Sequence, residues 1–161
     1  MRTANLNDVA IFVSALGAGL MAGFFFAFSI LVMKALGAIQ PAHGISAMQS
    51  INVVVINPWF LTPFFGTALL CVILSVTALL RWHEPGAAFV LAAGLLYLLG
   101  TIGVTMLFNV PRNNALAAVA PTSAEGAALW ADYIVAWTQW NHVRTIAAFA
   151  AAAAFTIALM R

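Results

Sequence analysis

The chain has 161 residues, 65% of them hydrophobic and only 6% charged, with a net charge of +2. A soluble domain averages about 45–50% apolar and about 25% charged residues, so this composition excludes a soluble globular protein and marks an integral membrane one. Six basic residues without a cluster exclude a nucleic-acid surface. The expected partner on these grounds is the lipid bilayer.

The length fits one membrane domain over residues 1–161. Its opening uncharged run, Val9 to Met33, exceeds the apolar core of about 7–15 residues found in a secretory signal, and reads as a retained first membrane helix. About 20 apolar residues cross the hydrocarbon. The first span is expected at 9–36, marked by Lys34 at its far end and closed by "PAHG". The second is expected at 58–80, opened by Pro58 and ended by "RWHEPG". The third runs from 86 to 108, where Pro111 in "NVPRNN" is expected to stop the helix and free carbonyls near Leu107. The fourth is placed at 141–160. Arg144 to Arg161 is too short to cross at about 1.5 Å per residue, so this helix must begin before Arg144.

The expected fold is all-α, a bundle of four transmembrane helices with two long loops on one side. "ISAMQSINVVVIN" reads as a short amphipathic helix in the first of these. "SAEGAALWADYIVAWTQW" reads as a helical extension before the fourth span, with Ser123 as N-cap and Glu125 in its first turn. Cys71, inside an apolar run, reads as a small core residue. Gly19 and Gly23 offer close helix packing, and permit a homo-oligomer without demanding one. Arg2, Arg81 and Arg161 on the terminal side balance Lys34, Arg112 and Arg144 on the other, so charge alone does not orient the chain. Arg112 and Arg144 read as site residues rather than topology signals, which favours cytoplasmic termini in a bacterial inner membrane.

The chemistry concentrates in "WADYIVAWTQWNHVR", residues 130–144. Trp130, Tyr133, Trp137, Asn141 and Arg144 follow the alternating steps of three and four along one helical face, with Trp140 flanking. An aromatic belt at the headgroups is one reading of these rings. It accounts poorly for Asn141 and Arg144 on the same stripe, because unpaired polar groups at membrane depth are costly and turn inward. Two more amide-rich sets share that side: Asn109, Arg112, Asn113 and Asn114 around Pro111, and Gln49, Asn52 and Asn57 before the second span. Capping and solvation are the bland reading of each. Three sets on one face point to a pocket for a flat, oxygen-bearing aromatic molecule. Trp faces would stack on its rings, Arg144, Asn109 and Asn141 would donate to an oxyanion, and His142 is a candidate base.

His43 and His142 share that side with Glu125 and Asp132 but form no HxxxH or HxxE pair. No metal site is assigned, although a histidine-ligated metal or haem stays open as a reading. No nucleophile elbow, phosphate loop or dinucleotide fingerprint is present.

The runs "GFFFAFSILVMKAL", "AMQSINVVVINPWF", "NVPRNNAL" and "WADYIVAWTQWNHVRT" resemble the anthrone oxygenase-like family of four-helix membrane proteins. The resemblance implies oxidation of an anthrone-like, phenolic or quinol-like substrate, with O2 as co-substrate and no added cofactor. By the matching motifs it marks Asn109, Pro111, Asn113, Trp140, Asn141 and Arg144, with Gln49, Asn52 and Asn57. It does not fix the base. A non-catalytic binding, transport or accessory protein of the same fold is the alternative.

Overall fold

The computed structural model describes residues 6–161, and all regular structure among them is helical. Arg2, counted in the charge balance, lies outside the described residues. Four helices are long and apolar enough to cross a membrane: α1 (Leu6–Gly37), α3 (Pro58–Leu80), α4 (Ala87–Ala117) and α5 (Ala124–Leu159). A shorter helix, α2 (Pro41–Val54), lies in the first long loop. The all-α four-span architecture is therefore as the sequence predicts, with differences at the helix ends.

Each difference has a local cause. Helix α2 begins at Pro41 rather than near Ile45, because proline's fixed φ suits a first helical turn. Pro111 does not stop α4. The backbone widens into π-helical turns over Leu96–Gly103 and Thr105–Asn109, and Pro111 then sits in the first turn of the α-helical segment Val110–Ala117. The guanidinium of Arg112 donates from Nη1 to Phe108 O at 2.7 Å, satisfying a carbonyl in that loosened stretch. The extension and the fourth span are one unbroken helix, capped by Ser123 Oγ accepting from Gly126 N at 2.9 Å.

The spans form a ring in the order α1–α3–α4–α5, each packed on its two neighbours. Small residues let the helices approach: Ala18 and Ala22 of α1 and Ala147, Ala148 and Ala151 of α5 are buried, and Ala147 meets Gly100 of α4. Gly19 and Gly23 do not contribute. A Cβ on either would meet nothing within 4 Å, because they lie off the buried stripe of α1. Cys71 is fully buried and free, as its apolar surroundings suggest. Between α3 and α4 the short turn closes at Gly86, whose φ of 84° favours glycine.

Two apolar clusters fill the bundle. One gathers Met21, Phe25, Phe64, Leu74, Tyr97 and Phe155 towards the terminal side. The other gathers Phe28, Ile45, Met48, Leu116, Trp130 and Trp137 under α2. Gly44 allows α2 to sit this low, since a Cβ there would stand 2.8 Å from Trp130 and 2.9 Å from Leu36 O.

Asn57 is a cap. Its Oδ1 accepts from Phe60 N at 3.2 Å and its Nδ2 donates to Val54 O at 2.8 Å, so it closes α2 and opens α3. Asn57→Ala is expected to lower stability by about 1 kcal/mol without changing ligand binding, as checked by thermal unfolding in detergent beside a binding isotherm.

Candidate functional site

The polar stripe of α5 faces inward. Trp130, Tyr133 and Trp137 are at most 5% exposed, so they are core residues and not a headgroup belt. Asn141 is fully buried and joins helices: Nδ2 donates to Phe25 O and to Ser29 Oγ, both at 2.7 Å. The π-helical turn Phe28–Val32 of α1 lies beside these acceptors. Such turns disturb the regular backbone ladder, and here a side chain from α5 supplies bonds next to one.

Arg144, 5% exposed, is held by Asn141 and α4. Its Nη2 donates to Asn141 Oδ1 at 2.6 Å and its Nη1 to Thr105 Oγ1 at 3.2 Å. The guanidinium lies 4.3 Å from the Phe25 ring centroid and 5.0 Å from that of Trp137. Its partners include no carboxylate, and Nε is buried without a hydrogen bond among the described residues. Three more side chains organise the wall. Asn113 Oδ1 accepts from Tyr133 Oη and from Trp137 Nε1, both at 2.8 Å. Asn109 Nδ2 donates to Trp137 O at 3.2 Å, while its Oδ1 is buried and unpartnered. Gln49 Nε2 donates to Leu116 O at 2.8 Å and Val119 O at 3.1 Å, tying α2 over the end of α4.

These groups border a cavity of about 370 Å³, within the range of about 300–1,000 Å³ typical of small-molecule sites. Arg144, Trp137, Asn113, Asn114, Asn52, Gln49 and Thr105 supply its polar and indole surface. Phe24, Phe25, Phe28, Phe60 and Phe64 supply most of its aromatic wall. The cavity meets α3 at Leu61, Phe64 and Phe65, one to two turns below Pro58. That is about 5–10 Å into the span at 1.5 Å per residue. Trp59, almost fully exposed, marks the interface above it.

Several predicted site residues converge here and several do not. Arg144, Trp137, Asn113, Gln49 and Asn52 line the cavity. Asn141, Asn109 and Tyr133 stand behind it and fix the groups that do. Trp140 lies elsewhere, stacked on Phe108 at 3.6 Å between centroids. His142 is exposed and borders a separate surface groove with Lys34, Thr138 and Gln139. Adjacent residues on a helix point about 100° apart, so a fully inward Asn141 turns His142 away. His142→Ala is therefore expected to change any turnover by no more than about twofold, read as initial rate at fixed protein concentration. Thr105 and Ser29 are site residues that the sequence reading missed. Thr105 had a signal, four residues before Asn109 and eight before Asn113. Ser29 is the lone polar residue in "FFFAFSILVM".

Among the described residues no three His, Cys, Asp or Glu side chains gather where they could hold a metal ion. No curated protein and no solved structure matches the chain. A family described as anthrone oxygenase matches residues 59–154. The match begins beside the α3 cap and takes in Thr105, Asn109, Asn113, Trp137, Asn141 and Arg144, leaving Ser29, Gln49 and Asn52 before it. Because it spans more than half of the sequence and carries the whole α4–α5 side of the Arg144 network, the chain belongs to the anthrone oxygenase family.

Proposed function

We propose that this protein is a membrane-embedded oxygenase that oxidises an anthrone-like phenolic substrate with O2, holding it as an oxyanion beside Arg144. One observation carries the reading. A guanidinium with no carboxylate partner among the described residues is buried on the wall of an aromatic-lined cavity in the membrane-spanning part of the bundle. Burying a charge in apolar surroundings costs roughly several kcal/mol. An anionic oxygen in the cavity offsets that cost and a neutral one does not, so the site favours the deprotonated ligand.

The chemistry follows from that preference. An anthrone methylene is acidified by the adjacent ketone, and its anion is an electron-rich aromatic oxyanion. Among the described residues no histidine or carboxylate lines the cavity, so anion binding itself drives deprotonation. As the oxyanion pairs with Arg144, the proton leaves to water at the polar rim where Asn114 is exposed. The phenylalanine walls and Trp137 hold the rings and exclude water. The anion passes one electron to O2, and the resulting superoxide and carbon radical combine as a peroxide. That peroxide takes up a proton. Loss of the remaining C–H proton with cleavage of the O–O bond then releases water and leaves the second ketone. One O2 is consumed: one oxygen atom stays as carbonyl, the other departs in water. All the electrons come from the substrate, so the proposal requires no added cofactor.

Oxygen uptake by the purified protein with an anthrone tests the reading. The expected result is uptake above the spontaneous rate, matched mole for mole by anthraquinone and persisting with a metal chelator. Uptake no faster than the spontaneous rate removes the oxygenase reading and favours a binding or accessory role. The proposal also takes the termini as cytoplasmic in a bacterial inner membrane. Labelling of His83→Cys from outside, with Thr122→Cys protected, would overturn that orientation.

A further inference from the structure

We infer that the cavity is reached sideways from the bilayer, and that its ligand is a membrane-dissolved amphiphile: an acidic phenol or enol seated at Arg144, with an aliphatic tail running out between α3 and α4. The inference deepens the proposed function and rests on it for the oxyanion at Arg144.

The edges of the cavity show where it opens. Phe65 of α3 and Met106 of α4 both line it, yet are 50% and 52% exposed on the outside of the bundle. Val53 and Ile56, at the end of α2 and just beyond it, line it higher up and are more exposed still. All four are apolar, and the one polar exposed residue on the rim is Asn114, in the last turns of α4. The lower edge, Phe65 and Met106, lies below the interface marked by Trp59 and faces hydrocarbon rather than water.

The packing explains why the gap lies there. Helix α3 packs on α4 along Ala87–Leu95 and Leu96–Gly103. Beyond Gly103 the cavity separates Leu61, Phe64 and Phe65 from Thr105, Met106 and Val110. The opposite seam, α1 against α5, is the most extensively packed in the bundle. The roof is also tied: α2 is held down by the two Gln49 hydrogen bonds to the end of α4. Lifting α2 to admit a bulky ligand must break those bonds, whereas entry between α3 and α4 needs only rotamer changes at Phe65 and Met106.

Polarity is graded along the same path. Arg144, with its unpartnered Nε, and Asn52, with its unpartnered Nδ2, stand at the polar end. Phe65 and Met106 stand at the outer one. That order matches a ligand with an acidic oxygen on its ring and an apolar tail. It also lets such a ligand enter without its tail leaving the hydrocarbon.

The test is photo-crosslinking in lipid nanodiscs. Benzoylphenylalanine replaces Phe65 or Met106, one at a time, or Phe149, which faces lipid beside Phe26. The probe is para-dodecylphenol with an alkyne at its tail end. The expected result is several-fold stronger labelling at positions 65 and 106 than at 149. That excess should be suppressed by unlabelled para-dodecylphenol and lost in an Arg144→Met background. Equal labelling at all three positions, or labelling that excess phenol does not suppress, would overturn the inference. No turnover is read, so the two readings fail separately. Suppressible labelling at the slit without oxygen uptake keeps the portal and removes the oxygenase. Anthrone turnover with even labelling does the reverse.

Discussion

Arg144→Met is expected to lower turnover by about 10²–10³-fold while leaving the thermal midpoint unchanged or raised. Methionine keeps much of the apolar stem and fills similar space. What disappears is the charge that the oxyanion requires. Two stability effects oppose each other. Asn141 Oδ1 loses its donor, which costs about 1–3 kcal/mol. Thr105 keeps its own bond to Thr101 O at 2.7 Å and is little affected. Against this, a buried cation with no carboxylate partner is removed, a relief of roughly several kcal/mol. The second effect is the larger. Oxygen uptake and detergent thermal unfolding on the same preparation decide the matter. If the variant loses its fold along with its turnover, Arg144 is a structural keystone and the binding or accessory reading gains.

The second large effect is structural. Asn141→Leu is expected to destabilise the protein by about 3–5 kcal/mol, the largest cost of any single amide in the bundle. Asn141 satisfies three groups at once, on α1 and α5: Phe25 O, Ser29 Oγ and Arg144 Nη2. Ser29 retains a contact with Thr145 Oγ1 at 3.1 Å, but Phe25 O and the guanidinium do not find substitutes in leucine. Turnover should fall as well, because Arg144 loses the bond that aims it. The contrast with Asn57→Ala is the check: a cap removed from the surface costs a fraction of what a buried bridge does. Equal melting shifts for the two variants would sink the assignment of Asn141 as the bridge.

The membrane class, the four spans and the α5 stripe were legible because they rest on periodicity and composition. A run of residues at 130, 133, 137, 141 and 144 can face only one way on a helix, and Asn141 and Arg144 made the inward choice the cheaper one. The backbone irregularities were not legible. Pro111 predicts a break, but the π-helical turn before it absorbs the ring and carries α4 through to Ala117. Nothing in "TMLFN" announces such a turn. Asn57 and Asn113 were equally suspect as sequence, both asparagines next to or near a proline. Only tertiary placement separates them, one capping α3 and the other receiving Tyr133 and Trp137. His142 attracted a role by adjacency in sequence, which on a helix is poor evidence of adjacency in space. Most of the cavity wall escaped notice because phenylalanines that line a pocket and phenylalanines that fill a core look identical in a greasy chain.

A mouth edged by Phe65 and Met106 changes what concentration means for this protein. If the bilayer is the solvent from which it draws, saturation follows the mole fraction of substrate among lipids, not the amount added to the buffer. Diluting the membrane with more lipid at fixed substrate would slow the reaction, while diluting the whole suspension with water would leave a strongly partitioning substrate almost untouched. The same hydrocarbon dissolves O2 more readily than water does, so both reactants would arrive from one reservoir, already dehydrated.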